Sequence, residues 1–372
     1  MLCEAASTLG VETVVLAGDP EDAATQVAGS VELGRATDSS ALAVLASRCD
    51  VVTFDHELVD LDGVRALEVR GAVVRPSARA LQAAADKAHQ RRAFAAAGIP
   101  VPAFAILDCD EHGDLAALRD LARACGRVPV VKSARGGYDG RGVVVATTLE
   151  EAEAAVRAWR AEGVVVVAEA PCDEGIELAA LVARRPGGEV ASWRPVETTQ
   201  VGGVCREVRV PGRVGDDAAA GASALARRVA DELGVVGVLA VECFETSAGP
   251  VVNEVATRPH NSGHWTIEGA RTSQFENHLR AILDLPLGST ELLAPTVASV
   301  NVFGGEGTSP SLEAALAEPS AKVHLYGKAS RPGRKLGHVT VTGTDPDDVA
   351  ARAWRTAAAL GTPVPADAAA RS

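Results

Sequence analysis

The sequence has 372 residues, 47% hydrophobic and 23% charged, a globular balance that excludes disorder of the whole chain and leaves room for two or three modules. Thirty-six basic against 49 acidic residues give a net charge of −13, which excludes a polyanionic partner such as nucleic acid or an anionic membrane and confines any anion site to a local cluster. No apolar run approaches membrane-spanning length, and the start Met1-Leu-Cys-Glu lacks the plan of a signal peptide. The seven cysteines, no two closer than sixteen residues, offer neither a zinc knuckle nor a Cys-x-x-Cys pair. A cytoplasmic protein with reduced, mostly buried thiols is expected.

In chain order, Leu2 to Leu9 reads as the end of an amphipathic helix and Val11 to Ala17 as a buried parallel strand. A βαβ unit needs a strand before its helix, and only Met1 precedes this one, so the domain is expected to lack its first strand. A helix at Ala41 to Ser47 and short strands at Asp50 to Phe54 and Ala72 to Arg75 complete a small doubly wound unit. Ser77 caps a helical run, Ala78 to Ala97, that stops at Gly98 before the extended Ile99-Pro-Val-Pro102. Strands at Ala103 to Ile106, Val128 to Lys132, Val143 to Ala146 and Val164 to Ala168 then alternate with helices at Leu115 to Cys125 and Glu150 to Ala161. From Glu169 the strands lengthen and pair as hairpins, followed by a helix at Gln274 to Leu283 and a β-rich end closed by a helix at Pro346 to Leu360. The expected domains are 1–88, 89–168 and 169–372.

The loop Arg135-Gly-Gly-Tyr-Asp-Gly-Arg-Gly142 joins two strands, and its glycines let backbone N–H groups close over phosphates. It is neither a Walker loop nor a dinucleotide turn, since no Gly-Lys-Ser/Thr follows and no helix opens after it. A plain mobile hairpin has the same composition; Lys132, at the end of the preceding strand, tilts the reading toward a phosphate-covering flap.

Val238 to Phe244 and Pro250 to Val255 read as two strands about a turn, and pairing centred on Ala248 sets Glu242 opposite Glu254. Period-2 alternation puts Glu242 on a face with Val238, Ala240 and Phe244, and Glu254 on one with Val252 and Ala256. Two carboxylates opposed on an apolar face are destabilising unless a hard cation lies between them, so Mg²⁺ bridging to ATP phosphates is expected, with Asn253 as a further oxygen donor. A bulge turning one glutamate to solvent is the competing arrangement. Next comes Thr257-Arg-Pro-His-Asn-Ser-Gly-His-Trp265, where Arg258, His260 and Asn261 suit a small oxyanion. Gly327 to His338 gathers five basic or imidazole side chains, which a solvated hairpin rim would also explain.

Together the glycine flap, the paired glutamates, Arg258-Pro-His-Asn-Ser-Gly-His-Trp-Thr266 and Arg331-Pro-Gly-Arg-Lys-Leu-Gly-His338 resemble the ATP-grasp enzymes of purine biosynthesis, most of all the N5-carboxyaminoimidazole ribonucleotide synthetases. The likeness runs from about residue 1 to 360. It implies an α/β ATP-grasp fold: a doubly wound N-terminal domain, an α/β lid and a larger α+β C-terminal domain. The implied reaction takes ATP, bicarbonate and 5-aminoimidazole ribonucleotide, with Mg²⁺, to the N5-carboxyamino product, ADP and phosphate, in a homodimer.

By position the resemblance implies nucleotide contacts from Lys87, Lys132, the flap Gly137, Tyr138, Asp139, Gly140, Arg141, Gly142 and Val143, and the adenine hinge Glu169, Ala170, Pro171 and Cys172. Glu177 would hold the ribose, with Gln200 near the nucleotide and Asn253 and Glu254 closing the metal site beside Glu242. The ribonucleotide substrate would touch Glu57, Tyr138, Asp139, Arg141, Arg334 and Lys335, and Arg258, His260, Asn261 and Lys335 would be catalytic.

Three departures from the family stand out. The first strand and a Gly-x-Gly-Gln-Leu-Gly-type loop are absent before Met1, Phe54-Asp-His-Glu-Leu58 replaces a segment richer in Glu and ending in Asn, and Val201-Gly-Gly203 replaces Arg-Asp-Gly. The alternatives are a formate-dependent glycinamide ribonucleotide transformylase-like enzyme, against which the Tyr-Asp-Gly and His-Asn-Ser-Gly-His-Trp segments argue, and a nucleotide-binding, non-catalytic relative.

Overall fold

The computed structural model describes residues 1–137, 142–172, 175–305 and 310–365. Tyr138, Asp139, Gly140 and Arg141 lie outside the described residues. The first unit carries α1 (Leu2–Thr8), β1 (Val14–Ala17), β2 (Ser30–Leu33), α2 (Ser39–Ala46) and α3 (Leu61–Val69), with β1 and β2 parallel. Asp38 and Asp60 cap α2 and α3 by accepting from backbone N–H groups of the first turn, offsetting donors that would otherwise lack partners.

Two expectations change here. The strands at 50–54 and 72–75 shrink to one parallel bridge, Val52 to Val74, and the strand paired with β1 is β2. The helical run from Ala78 is two helices, α4 (Ala78–Ala85) and α5 (Lys87–Ala96), broken at Asp86. Asp86 has extended φ/ψ, caps α5 by accepting from His89 N–H, and binds Arg135 through its other oxygen at 2.8 Å.

The lid is a four-stranded sheet in the order β3 (Phe104–Leu107), β6 (Val166–Glu169), β4 (Val130–Ser133), β5 (Val143–Val144), covered by α6 (Glu111–Cys125) and α7 (Leu149–Ala161). Its helices bury Leu115, Leu118, Leu121, Ala152 and Val156 against the sheet. Thr148 and Glu151 form a reciprocal capping box at the start of α7.

Beyond the lid a nine-stranded, largely antiparallel sheet spans the rest of the chain. It contains β7 (Glu177–Arg184), β8 (Val190–Ser192), β9 (Val196–Val201), β10 (Val204–Val210), β11 (Gly237–Thr246), β12 (Gly249–Ala256), β13 (Thr296–Phe303), β14 (Ala321–Leu325) and β15 (Lys335–Gly343). The order is β12-β11-β7-β9-β10-β13-β15-β14, with β8 paired to β7. Helix α8 (Asp216–Leu233), unforeseen in a stretch read as hairpins, packs on the face formed by Leu178, Ala180, Leu239 and Val241. The opposite face buries Ala179, Leu181, Val238 and Ala240. Helices α9 (Thr266–Gly269), α10 (Gln274–Ile282), α11 (Leu312–Leu316) and α12 (Pro346–Ala359) complete the chain.

His278 on α10 ties the first unit to this sheet. Its Nδ1 accepts from Val238 N–H at 3.0 Å, which fixes the proton on Nε2, and that N–H faces Thr53 Oγ1 at 2.7 Å. Gly237 makes room for the ring: its φ is +115°, and a Cβ there would come within 2.9 Å of His278 Cε1. The seven cysteines form no disulfide. Cys243 alone is buried, Cys109 is exposed and the other five are intermediate, so the expectation of mostly buried thiols fails; several sit on loops and helix ends rather than inward strand positions. Among the described residues no helix is long and apolar enough to cross a membrane.

Candidate active site

Strands β11 and β12 bring Glu242 directly opposite Glu254, by a route that differs from the expected one. The hairpin turns between Ser247 and Ala248, not on Ala248: Thr246 pairs with Gly249 and Cys243 with Val252. Continued regularly, that register would set Glu242 against Asn253. A bulge inserts Asn253 as an extra residue and restores Glu254 to the opposed position. The bulge also separates Val252, packed among Leu239 and Val241, from Ala256, packed among Val238 and Ala240; the expected shared face for Val252 and Ala256 is therefore wrong.

The lid delivers cations to this pair. Lys87, the first residue of α5, reaches Glu254 Oε1 at 3.2 Å, and its backbone N–H donates to Ala134 O at 2.8 Å. Lys132 on β4 reaches Asn253 Oδ1 at 3.0 Å and Glu169 Oε2 at 2.7 Å. Both lysine side chains are 10% exposed. Glu169 also takes Arg91 Nε at 2.7 Å, and Arg91, fully buried, donates through its other arm to Asn253 O at 2.6 Å. Burial alone would raise the Glu169 pKa, but Lys132 and Arg91 override it and hold the carboxyl below its usual range. The Glu169 side chain is thus the hub of a buried ion lattice that aims Lys132.

Arg91 is the residue that sequence reasoning missed. The spacing Lys87, Gln90, Arg91, Phe94 marks one helical face, and all four are buried. A face carrying two cations reads as solvent-facing until its carboxylate partner, 78 residues on, is known.

Of the expected hinge, Ala170 N–H is bound to Ala103 O at 2.7 Å, and Pro171 and Cys172 follow at the lid edge. Gly137 and Gly142 form the base of the flap: Ser133 N–H donates to Gly142 O at 2.8 Å, and a Cβ on Gly142 would lie 3.3 Å from Gly137 Cα and collide with Ser133 Oγ. Val143 begins β5, 37% exposed. Glu177 and Gln200 lie on the paired strands β7 and β9, and burial raises the Glu177 pKa more than Gln200 and Lys132 lower it.

The segment after β12 carries Arg258, His260 and Asn261, the residues expected to bind an oxyanion. Arg258 lies 2.9 Å from Glu57 Oε1, so the first unit contributes directly. His260 Nε2 stands 3.9 Å from Glu242 Oε1, and its Nδ1 faces Ser262 Oγ at 2.9 Å. Burial, then Arg258 and Lys335, lower the His260 pKa to about 3, so this imidazole is neutral. Burial, Glu254 and Glu177 push Glu242 up to about 8 against the pull of Lys335 and Lys87. Lys335 at the start of β15 therefore bears on both residues. Arg334 instead donates to Ala329 O in its own loop, at 3.2 Å. Both polar atoms of the Asn261 side chain are buried without a hydrogen-bond partner, a donor and an acceptor in the same segment as Arg258, whose Nε is held by Glu57. Among the described residues no group of three or more His, Cys, Asp or Glu is set to hold a metal alone, whereas a nucleotide-bound Mg²⁺ requires only one or two carboxylates.

A glycine-flapped lid whose lysines point at paired carboxylates on a large antiparallel sheet defines an ATP-grasp enzyme. Residues 92–275 match the ATP-grasp domain family, 1–85 the ribonucleotide synthetase preATP-grasp domain and 297–352 the phosphoribosylaminoimidazole carboxylase C-terminal domain. The N5-carboxyaminoimidazole ribonucleotide synthase of Mycobacterium bovis is 47% identical over 95% of this chain and 83% of its own length. Crystal structures of N5-carboxyaminoimidazole ribonucleotide synthetase from Thermus thermophilus (35% identity, TM-score 0.86, 98% of this chain and 96% of that one) and of the Aspergillus clavatus enzyme with ADP and 5-aminoimidazole ribonucleotide (32%, 0.84, 97% and 95%) have the same fold. The chain belongs to the N5-carboxyaminoimidazole ribonucleotide synthase family.

Proposed function

We propose that the cleft between lid and sheet carries out the ATP-dependent carboxylation of 5-aminoimidazole ribonucleotide by bicarbonate, forming N5-carboxyaminoimidazole ribonucleotide, ADP and phosphate in purine biosynthesis. The observation that supports this reading best is the convergence, on one face of the sheet, of Glu242 and Glu254 with His260 and the cations Arg258 and Lys335. Bicarbonate is a poor electrophile and becomes reactive once phosphorylated to carboxyphosphate.

In this scheme Lys87 and Lys132 hold the nucleotide phosphates, aimed by Glu254 and by the Glu169–Arg91 lattice. Glu242 and Glu254, with Asn253, suit Mg²⁺, because two opposed carboxylates, one with its pKa near 8, lose their conflict beside a divalent cation. Mg²⁺ would neutralise charge on the transferring phosphoryl group. Arg258 and Asn261 take the bicarbonate oxygens, neutral His260 orients them, and Lys335 offsets the charge of the phosphorylated intermediate. A flap at this loop, the role that the resemblance implies for it, would exclude water from the phosphates. Glu57, paired with Arg258, would read the ribonucleotide from the first unit.

The test is ADP release by the purified chain with ATP, Mg²⁺, bicarbonate and 5-aminoimidazole ribonucleotide, omitting each in turn. Turnover with glycinamide ribonucleotide and formate instead would overturn the reading, and so would ATP binding with no turnover on any substrate. The homodimer implied by the resemblance is checked by light scattering, where the mass of a single chain contradicts it.

A further inference from the structure

Arg206 is a cation that the scheme above leaves unused. The pairing of β9 with β10 sets Cys205 opposite Gln200 but Glu207 opposite Thr199, so Arg206 is the extra residue of a bulge. Glu207 lies opposite Val300, whose side chain packs with Val349 and Ala353 of α12, and on that side of the sheet Arg209 Nε takes the Glu207 carboxylate at 2.7 Å. Val208 packs with Trp265 and Ala256 on the other side, the one that carries Glu242, and Arg206, two residues from Val208, shares it. There the Arg206 guanidinium lies over the Phe303 ring, 4.0 Å from its centroid. Burial lowers its pKa, opposed only by the neighbouring Cys205. Among the described residues no carboxylate pairs with Arg206 and none of its N–H groups is hydrogen-bonded, the adjacent Glu207 being held by Arg209. A guanidinium over a ring has its charge only partly offset and keeps its N–H donors for an anion.

Phe303 places this cation at one end of the site. It lies opposite Lys335, and the next residue, Gly304, holds the loop that carries Arg331 and Arg334. Gly304 N–H donates to Arg334 O at 2.9 Å, Gly333 N–H donates to Gly304 O at 3.0 Å, and a Cβ on Gly304 would collide with Arg331 O. The end of β13 thus brings the backbone of Arg331, Arg334 and Lys335 beside the Arg206 guanidinium. Lys335, Glu242 and Glu177 all bear on the Cys205 thiol next door, so this end opens on the same cleft as the paired glutamates.

We propose that Arg206 binds the phosphomonoester of the ribonucleotide substrate and is a specificity-determining residue for the phosphorylated ribose. The proposal rests on the carboxylase reading above, which brings three anions to the cleft. The phosphates of ATP fall to Lys87 and Lys132, which reach Glu254 and Asn253 on β12. That strand is four strand spacings from β10, roughly 19 Å at about 4.8 Å each. Bicarbonate falls to Arg258 and Asn261. The phosphomonoester is the anion left for Arg206, and the planar fork of a guanidinium matches two of its oxygens at once.

The experiment is Arg206→Met, which keeps an unbranched side chain over Phe303 and removes the charge, with steady-state kinetics in each substrate beside the unaltered protein. Loss of hydrogen bonds from a charged group should raise KM for 5-aminoimidazole ribonucleotide about tenfold or more. KM for ATP and the melting temperature should hold. Arg206→Lys, which keeps the charge without the fork, should fall between the two. With 5-aminoimidazole riboside, which lacks the phosphate, kcat/KM should be no lower in Arg206→Met than in the unaltered protein. An unchanged KM for the ribonucleotide would overturn the assignment, as would an equal loss with the riboside. A rise in KM for ATP instead would give Arg206 to the nucleotide, and a lowered melting temperature with both KM values raised alike would make it a support for Phe303; either result overturns the proposal. If the unaltered protein forms no ADP with the ribonucleotide, the parent reading fails first; if it turns over normally and Arg206→Met matches it, only the Arg206 assignment fails.

Discussion

The two ends of one sheet face solve different electrostatic problems. At the β12-β11-β7 end charge is permanent and paired: Glu254 with Lys87, Glu169 with Lys132 and Arg91, all within 3.2 Å. At the β13-β15-β14 end three imidazoles stack beside the phenol of Tyr326, and the outermost, His324, is held by the carboxylate of Glu268. Fixed charge suits holding phosphates, which must be bound before anything reacts. His260 and Lys335 lie at the join, between Glu242 and His264.

The largest effect expected is at the charged end. Glu254→Gln keeps an acceptor for Lys87 but removes half of the carboxylate pair, and should lower kcat by ~10²–10³-fold with little change in melting temperature. Unchanged activity would remove Glu254 from the metal site. Next, Arg91→Met strips a buried cation from Glu169 and should cost ~3–5 kcal/mol in urea unfolding, since a buried charge is left without one partner. It should also raise KM for ATP, because Lys132 loses its anchor; an ATP KM that does not move would show the lattice to be structural alone.

The buried histidines make a pH prediction. Burial holds His278 and His338 at about 3 in the folded chain, against 6.5 unfolded, so between those values the unfolded chain binds the extra protons. Stability is present above pH 6.5 and is lost as pH falls toward 3, by up to ~1.4 kcal/mol per pH unit for each such histidine. Urea midpoints against pH should show this slope, reduced by about one proton in His278→Asn; a slope unaffected by the substitution contradicts the assignment. Smallest, Thr148→Ala removes a cap from lid helix α7 and should cost ~1 kcal/mol, read as faster amide exchange in the lid alone.

Much of the charged end was legible in the sequence, because Glu242, Asn253 and Glu254 sit on one hairpin and Lys132 ends a strand beside a glycine loop. The register came out right although the turn is half a residue from the expected centre, since the Asn253 bulge, invisible to alternation counting, compensates. The histidine end was not legible: His264, His324 and His338 are far apart in the chain, and only the β13-β15-β14 register stacks them. Helix α8 was missed because its alanines fill buried and exposed positions alike, which blurs the 3.6-residue contrast. Asp86 split α4 from α5 for the opposite reason, a strong local cap inside a run of good helix formers.

The division of the face is tested most directly by the amounts of ADP and N5-carboxyaminoimidazole ribonucleotide formed by Glu254→Gln and by Tyr326→Phe under identical conditions. Glu254→Gln should lower both products together, because no phosphoryl transfer means no activated carboxyl. Tyr326→Phe, which leaves Lys87, Lys132 and the paired glutamates in place, should keep ADP formation. A loss of ADP formation in Tyr326→Phe as large as in Glu254→Gln would contradict a face whose groups for holding ATP phosphates lie at one end.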